Sequence, residues 1–160
     1  MTQTGRLMEG KRGLIMGVAN ERSIAWGIAK AVSDQGARLA FTYQNDALGK
    51  RVRPLAEQTG SDLVMQCDVS DGSSIDDVMS AVDDAWGGLD FAVHAIAYSD
   101  KDELKGRYVD TSRDNFKMTM DVSVYSFTAV AQRAEKLMTD GGSMVTLTYY
   151  GAGQVMPHYN

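Results

Sequence analysis

Cysteine is almost missing from this chain: Cys67 is the only one in 160 residues. A single thiol cannot close an internal disulfide, which excludes the small disulfide-framed domains. Histidine is nearly as scarce, with only His94 and His158, and so few soft ligands argue against a zinc site. No basic stripe is present and the net charge is −5, which argues against a nucleic-acid partner. No apolar run approaches the roughly 20 residues of a membrane-spanning helix. The opening stretch MTQTGRLMEGKRG lacks an apolar core of signal-peptide length. With two prolines and no Pro/Ser linker, repeat or low-complexity tract, the chain reads as one domain or part of one (1–160). The absences together leave a cytoplasmic, metal-free α/β domain.

What is present suits that reading. A hydrophobic content of 44% and a charged content of 23% are those of an ordinary globular protein. The ten methionines read as gap-fillers in a core. Short apolar runs alternate with longer helical patterns. Strands are expected at Gly13–Ala19, Arg38–Tyr43, Asp62–Val69, Leu89–Ala97 and Ser143–Ala152. Helices are expected at Ser23–Gly36, from Asp46 to Gly60 with Pro54 bending or delaying it, at Ser73–Gly88, and along 110–138. In the third of these, Ile75, Val78, Met79, Val82 and Trp86 share a face, and Ser73 with Asp76 spells a capping box. Near-continuous apolar strands alternating with helices predict a doubly wound parallel sheet of Rossmann type.

Such a sheet receives a dinucleotide at its first strand-to-helix turn. Glycine there lets backbone approach the pyrophosphate, and a helix N-terminus favours its charge. The turn here, Gly17 to Ile24 with Gly27 beyond, is longer than GxGxxG and by itself a weak signal, no better than a plain loop. The second strand ends in Gln44-Asn45-Asp46, where the adenosine ribose is read in such folds. Asp46 is expected to cap the next helix, leaving Gln44 for the ribose. No basic residue occurs until Lys50, so NAD is favoured over NADP. Asp68 and Val69 close the third strand, where an adenine would rest: the carboxylate accepts from its amino group and the backbone pairs with its ring. A plain strand-end aspartate is the competing reading.

The stretches GVANERSIAWGIAKAV, AFTYQND, QCDV, HAIAYS and LTYYGAGQVMPHYN, in that order, closely resemble bacterial NADH-dependent enoyl-acyl-carrier-protein reductase, a divergent branch of the short-chain dehydrogenase/reductases. The resemblance runs from about Met8 to the last residue. It implies cofactor contacts at Gly17, Ser23, Ile24, Gln44, Asp68, Val69 and Ile96, and a substrate-lining position at Ser99. It implies a catalytic pair of tyrosines ten residues apart, which Tyr149 and Tyr159 fit; Tyr150 competes for the first role, at a position where relatives often carry leucine. The implied reaction moves hydride from NADH to the β-carbon of a trans-2-enoyl thioester carried on acyl carrier protein, in fatty-acid synthesis. A phenol, protonated at neutral pH, suits the charge that develops on the thioester oxygen. Tyr159 is the donor on this reading and Tyr149 shapes the site. His94 reads as structural and Cys67 as an inert core thiol.

One departure matters. The family's lysine, seven residues after the second tyrosine, would fall at position 166, beyond Asn160. The resemblance also implies last strands and a substrate-binding loop that these residues do not include. The sheet is therefore expected to be C-terminally truncated with one open edge, the family's homotetramer to be compromised, and the 160 residues alone to bind NADH weakly without turnover. The alternatives are a non-catalytic remnant that binds nucleotide or a partner subunit, and a ketone- or alcohol-acting reductase. The glycine turn and the tyrosine spacing speak against the last.

Overall fold

The computed structural model describes residues 6–155; Tyr159 and His158 lie outside them. Five apolar runs form one sheet: β1 (Arg12–Met16), β2 (Arg38–Tyr43), β3 (Val64–Gln66), β4 (Phe91–His94) and β5 (Ser143–Thr146). All neighbours pair in parallel, in the order β3-β2-β1-β4-β5. Successive side chains of a strand point to opposite faces, and β1 uses both. Leu14 and Met16 join Ala40 and Ala92 on one face, while Ile15 joins Leu39, Phe41 and Val93 on the other.

Helices cover both faces. α1 (Ile24–Asp34) and α2 (Asp46–Gln58) bring Trp26, Ala29, Val52 and Leu55 onto the Phe41 face. α3 (Gly72–Trp86) brings Ile75, Val78, Met79 and Val82 onto the Leu14 face. There α3 meets α5 (Ser126–Ala134), which supplies Ala129, Val130 and Ala134. α4 (Arg113–Met120) runs into α5 through a single π turn, Asp121–Tyr125. The doubly wound parallel sheet expected from the sequence is therefore present, with β3 and β5 at its edges.

Local chemistry differs from the expectations at several points. The capping box does not form. Asp71 caps α3 by accepting the Ser73 N–H, while Asp76 pairs with Arg133 at 2.6 Å; a carboxylate reached by guanidinium from another helix cannot also serve its own N-terminus. Asn45, not Asp46, caps α2, its Oδ1 accepting the Leu48 N–H at 3.1 Å. Asp46 stands in the first turn, where its charge suits the helix dipole. Pro54 neither delays nor ends α2. It lies on the exposed face, where water can meet the carbonyl it leaves unpaired. The strands are shorter than their apolar runs: β1 ends at Met16 because Gly17 turns the chain at φ +99°.

The lower end of the sheet is locked by Arg12 and Asp90. Asp90 Oδ2 accepts from the Arg12 backbone N–H at 2.9 Å and its Nε at 2.8 Å, and the Asp90 N–H donates to the Arg12 carbonyl. Chiefly this side-chain hydrogen bond holds the Asp90 carboxyl below the usual carboxylate range. A depressed folded-state pKa contributes stability above the unfolded value, about 3.9, that is lost as pH falls through the folded value. Asp90→Asn is expected to cost about 2 kcal/mol at neutral pH. It should also flatten the fall in urea midpoint between pH 6 and pH 3; parallel curves for the two proteins would refute this.

Candidate functional site

The strand order reverses between β1 and β4: β2 and β3 follow on one side of β1, β4 and β5 on the other. In open α/β sheets the crevice beyond the carboxyl ends at such a reversal is the usual ligand position. A cleft of about 710 Å³ opens there, within the range of about 300–1,000 Å³ typical of small-molecule sites.

Its near wall is the turn after β1, at Gly17, Val18 and Ala19. A Cβ on Gly17 would run into the carbonyl of Ala95, so at this point β1 and the segment after β4 touch backbone to backbone. Ser23 organises the turn from below: its Oγ accepts the N–H groups of Ala19 at 3.0 Å and Asn20 at 3.1 Å. Ser23 stands outside the cleft lining, as does Ile24, which is 66% exposed at the start of α1.

The side wall comes from the ends of β2 and β3, where Gln44, Asp68 and Val69 line the cleft together. Asp68 is built into a tight turn. Its Oδ1 accepts the Ser70 N–H at 3.0 Å and the Ser70 hydroxyl at 2.7 Å, and its own N–H donates to Ser74 Oγ. Ser70, with a further contribution from Gln44, holds the Asp68 carboxyl below its ordinary range and keeps it ionised. Gln44 is thus partly engaged with Asp68, and its carbonyl accepts from Gln66 Nε2. Arg53 reaches back from α2 to Tyr43, donating to its hydroxyl at 2.6 Å with the guanidinium over the ring. Cys67 sits on the cleft floor, 4% exposed, where burial pushes its thiol up to about 11. It stays protonated and unreactive at neutral pH.

The third wall was legible in the sequence only at Ile96. Ile96 lines the cleft, as expected, beside Ala97 and Tyr98. Beside them stand Met118, Asp121 and Val122, from the end of α4 and the π turn, which Ser123 ties directly to Tyr98. No local pattern signals these residues; only the packing of α4 across the sheet ends brings them in. His94, at the end of β4, is wholly buried. Ser126 donates its hydroxyl to the Val122 carbonyl at 2.7 Å, so His94 Nε2, 2.8 Å away, is the donor to Ser126 Oγ. Burial lowers the His94 pKa and keeps the ring neutral, as befits a structural side chain.

The remaining expected residues lie to one side. Ser99 is half-buried against Asn115 and Thr119, on a second cavity of about 900 Å³ that shares Ala97 and Tyr98 with the first. Tyr149 is 55% exposed and precedes a short 3-10 turn, Tyr150–Ala152, whose Ala152 borders that second cavity. Tyr150 is exposed more fully. Tyr149 is outside the lining of the first cleft, and its expected companion Tyr159 lies outside the described residues.

Fold and cleft together define a Rossmann-type protein with a nucleotide-sized crevice at its topological switch point. A family model described as enoyl-(acyl carrier protein) reductase matches residues 17–160, and the chain belongs to that family. Among its relatives, the NADH enoyl-[acyl-carrier-protein] reductase 1 of Rhizobium meliloti is 66% identical over all of this chain and 59% of the relative. The solved reductase of Anaplasma phagocytophilum, in complex with NAD, superimposes with a TM-score of 0.93 at 59% identity, covering 97% of this chain and 60% of that one. The Bacillus cereus reductase, solved with NADP+ and an indole naphthyridinone, gives 0.91 at 42% identity, covering 94% and 60%. The chain thus spans about 60% of the length of these relatives.

Proposed function

We propose that these residues form the NADH-binding part of an enoyl-acyl-carrier-protein reductase of fatty-acid synthesis. The observation that carries the reading is the cleft at the β1/β4 reversal, where Gly17, Gln44, Asp68, Val69 and Ile96 converge on one space. All five are positions that the family resemblance marks. The residues present fit a dinucleotide. Bare backbone at Gly17 suits a pyrophosphate, the ionised Asp68 suits an amino group, and Gln44 offers hydrogen bonds to ribose hydroxyls.

When bound, NADH supplies the hydride that reduces the β-carbon of a trans-2-enoyl thioester. The chain's own part is to hold the dinucleotide against the sheet ends, with Ser23 fixing the turn that cradles it. Tyr159 is assigned the hydrogen bond to the thioester oxygen, and Tyr149 the shaping of the substrate side together with Ser99. An enoyl group on acyl carrier protein as substrate and a cytoplasmic location belong to the same reading; the homotetramer belongs to the full-length family and is expected to be compromised in these 160 residues. Apolar side chains along α4 and the π turn, Phe116, Met120 and Val124, are exposed at four-residue spacing, which supports a contact with the substrate side or a subunit of the full-length protein.

A fluorescence titration tests the reading. Saturable NADH binding is expected, with NADPH at least about tenfold weaker, because Gln44 cannot neutralise an added phosphate and Arg53 is engaged by Tyr43. Asp68→Ala is expected to weaken NADH about tenfold, the loss of one hydrogen bond to a charged group. Absence of NADH binding would sink the proposal. Equal affinity for NADPH would remove the preference and point to Arg53 as available for the phosphate.

A further inference from the structure

The segment after β4, residues 95–100, belongs to no strand, and its first four residues wall the cleft. Its backbone polar groups must find other partners. The Ala95 N–H donates to the Met16 carbonyl, and side chains of α4 and the π turn serve Tyr98 and Asp100. Ser123 Oγ accepts the Tyr98 N–H at 3.0 Å and donates to the Tyr98 carbonyl at 3.1 Å, satisfying both backbone groups of one residue. Asn115, buried at the start of α4, accepts the Asp100 N–H through Oδ1 at 3.0 Å. Thr119 donates to Ser99 Oγ at 2.9 Å. The three stand at four-residue spacing.

That spacing explains the π turn. In an α-helix four residues overshoot one turn by about 40°, so Ser123 would stand about 80° away from Asn115 around the axis. A π turn holds more residues and takes rotation back. It falls at Asp121–Tyr125, where the correction is needed. Ser126 fastens it, through the Val122 carbonyl and buried His94. The same stretch of helix therefore anchors Tyr98 and also presents Met118, Asp121 and Val122 to the cleft.

We propose that Asn115, Thr119 and Ser123 are positioning residues for the nucleotide cleft: a polar ladder, its last rung re-aimed by the π turn, that holds the segment of Tyr98 to Asp100 against α4 and the π turn and so fixes one wall of the cleft. The proposal rests on the NADH reading above. Without the ladder, the Ala97–Tyr98 wall, which also separates the cleft from the second cavity, swings freely, and dinucleotide affinity falls although no cofactor contact has been removed.

The test uses the whole chain with Ser123→Ala, Ser123→Thr and, as a milder isosteric variant, Thr119→Val. Three quantities are read: the exchange rate of the Tyr98 amide proton by NMR, the NADH dissociation constant, and the urea midpoint. Ser123→Ala is expected to speed Tyr98 exchange at least about tenfold and to weaken NADH about fivefold. Thr119→Val should weaken NADH about twofold to threefold, and Ser123→Thr, which keeps the hydroxyl, should restore both readings. A lowered urea midpoint with unchanged NADH affinity in both Ser123→Ala and Thr119→Val would make the ladder merely structural and overturn the proposal. Unchanged Tyr98 exchange in Ser123→Ala would overturn it independently. Failure of the unmodified chain to bind NADH would instead remove the nucleotide reading, and the proposal with it.

Discussion

Gly17→Ala is expected to destabilise the protein by about 4 kcal/mol and to abolish NADH binding. Two costs add. The backbone at Gly17 has φ +99°, and a side chain held in so sparsely populated a region costs roughly 1–3 kcal/mol. The new methyl group would also meet the Ala95 carbonyl. That group is fixed backbone, because the Ala95 N–H is already bonded to the Met16 carbonyl at 3.1 Å. Overpacking against such a wall adds roughly 1–3 kcal/mol. Relief requires β1 and the segment after β4 to part at the place where the cleft opens, so the binding surface is lost with the stability. Urea denaturation and an NADH titration on the same preparation measure both losses. A variant less than about 1 kcal/mol destabilised and still binding NADH would show that the two segments separate easily.

Phe41→Ala is expected to cost about 4 kcal/mol, within the range for emptying a fully buried aromatic site. Phe41 has no exposed surface and lies in β2 between Ile15 of β1 and Val64 of β3 in register. Its ring faces α1 and α2 among Trp26, Val52 and Leu55. A cavity there sits on the strand that carries Thr42, Tyr43 and Gln44 to the cleft. Against a typical stability of about 5–15 kcal/mol, the loss is large. Thermal unfolding should show a fall in midpoint of roughly 8–16 °C, from the usual 2–4 °C per kcal/mol for a chain of this size. A fall under about 3 °C would mean that the neighbouring side chains collapse into the space.

The core was legible because its rules are local. Ile75, Val78, Met79 and Val82 repeat at helical spacing, and they are the buried face of α3. Gly17, Gln44, Asp68, Val69 and Ile96, expected on the cofactor side, meet in one cleft, because each follows the end of a strand and parallel strands end on the same side. Caps were read less well. Asp76 looked like the partner of Ser73 only while Arg133, 57 residues away in sequence, was out of view. The π turn left no trace in the sequence pattern, since one wide turn shifts the apolar period instead of repeating it. Tyr98, Met118, Asp121 and Val122 were missed for a related reason. Met118, Asp121 and Val122 reach the cleft on α4 and the π turn, a segment that carries no glycine turn or strand end, and Tyr98 is held there by Ser123 of the same segment.

The sequence by itself determined the alternation of strands and helices, the parallel sheet and the ends of the strands where a dinucleotide would lie. Buried two-sided strands and amphipathic helices impose those through short-range periodicity. Only the tertiary structure decided how the cleft is closed. The meeting of Gly17 with Ala95, the ionised turn at Asp68 and the ladder from Asn115 to Ser123 each join atoms whose contacts depend on backbone placement to a fraction of an ångström. Periodicity fixes which face a residue occupies; it does not fix the distance at which two backbones pass.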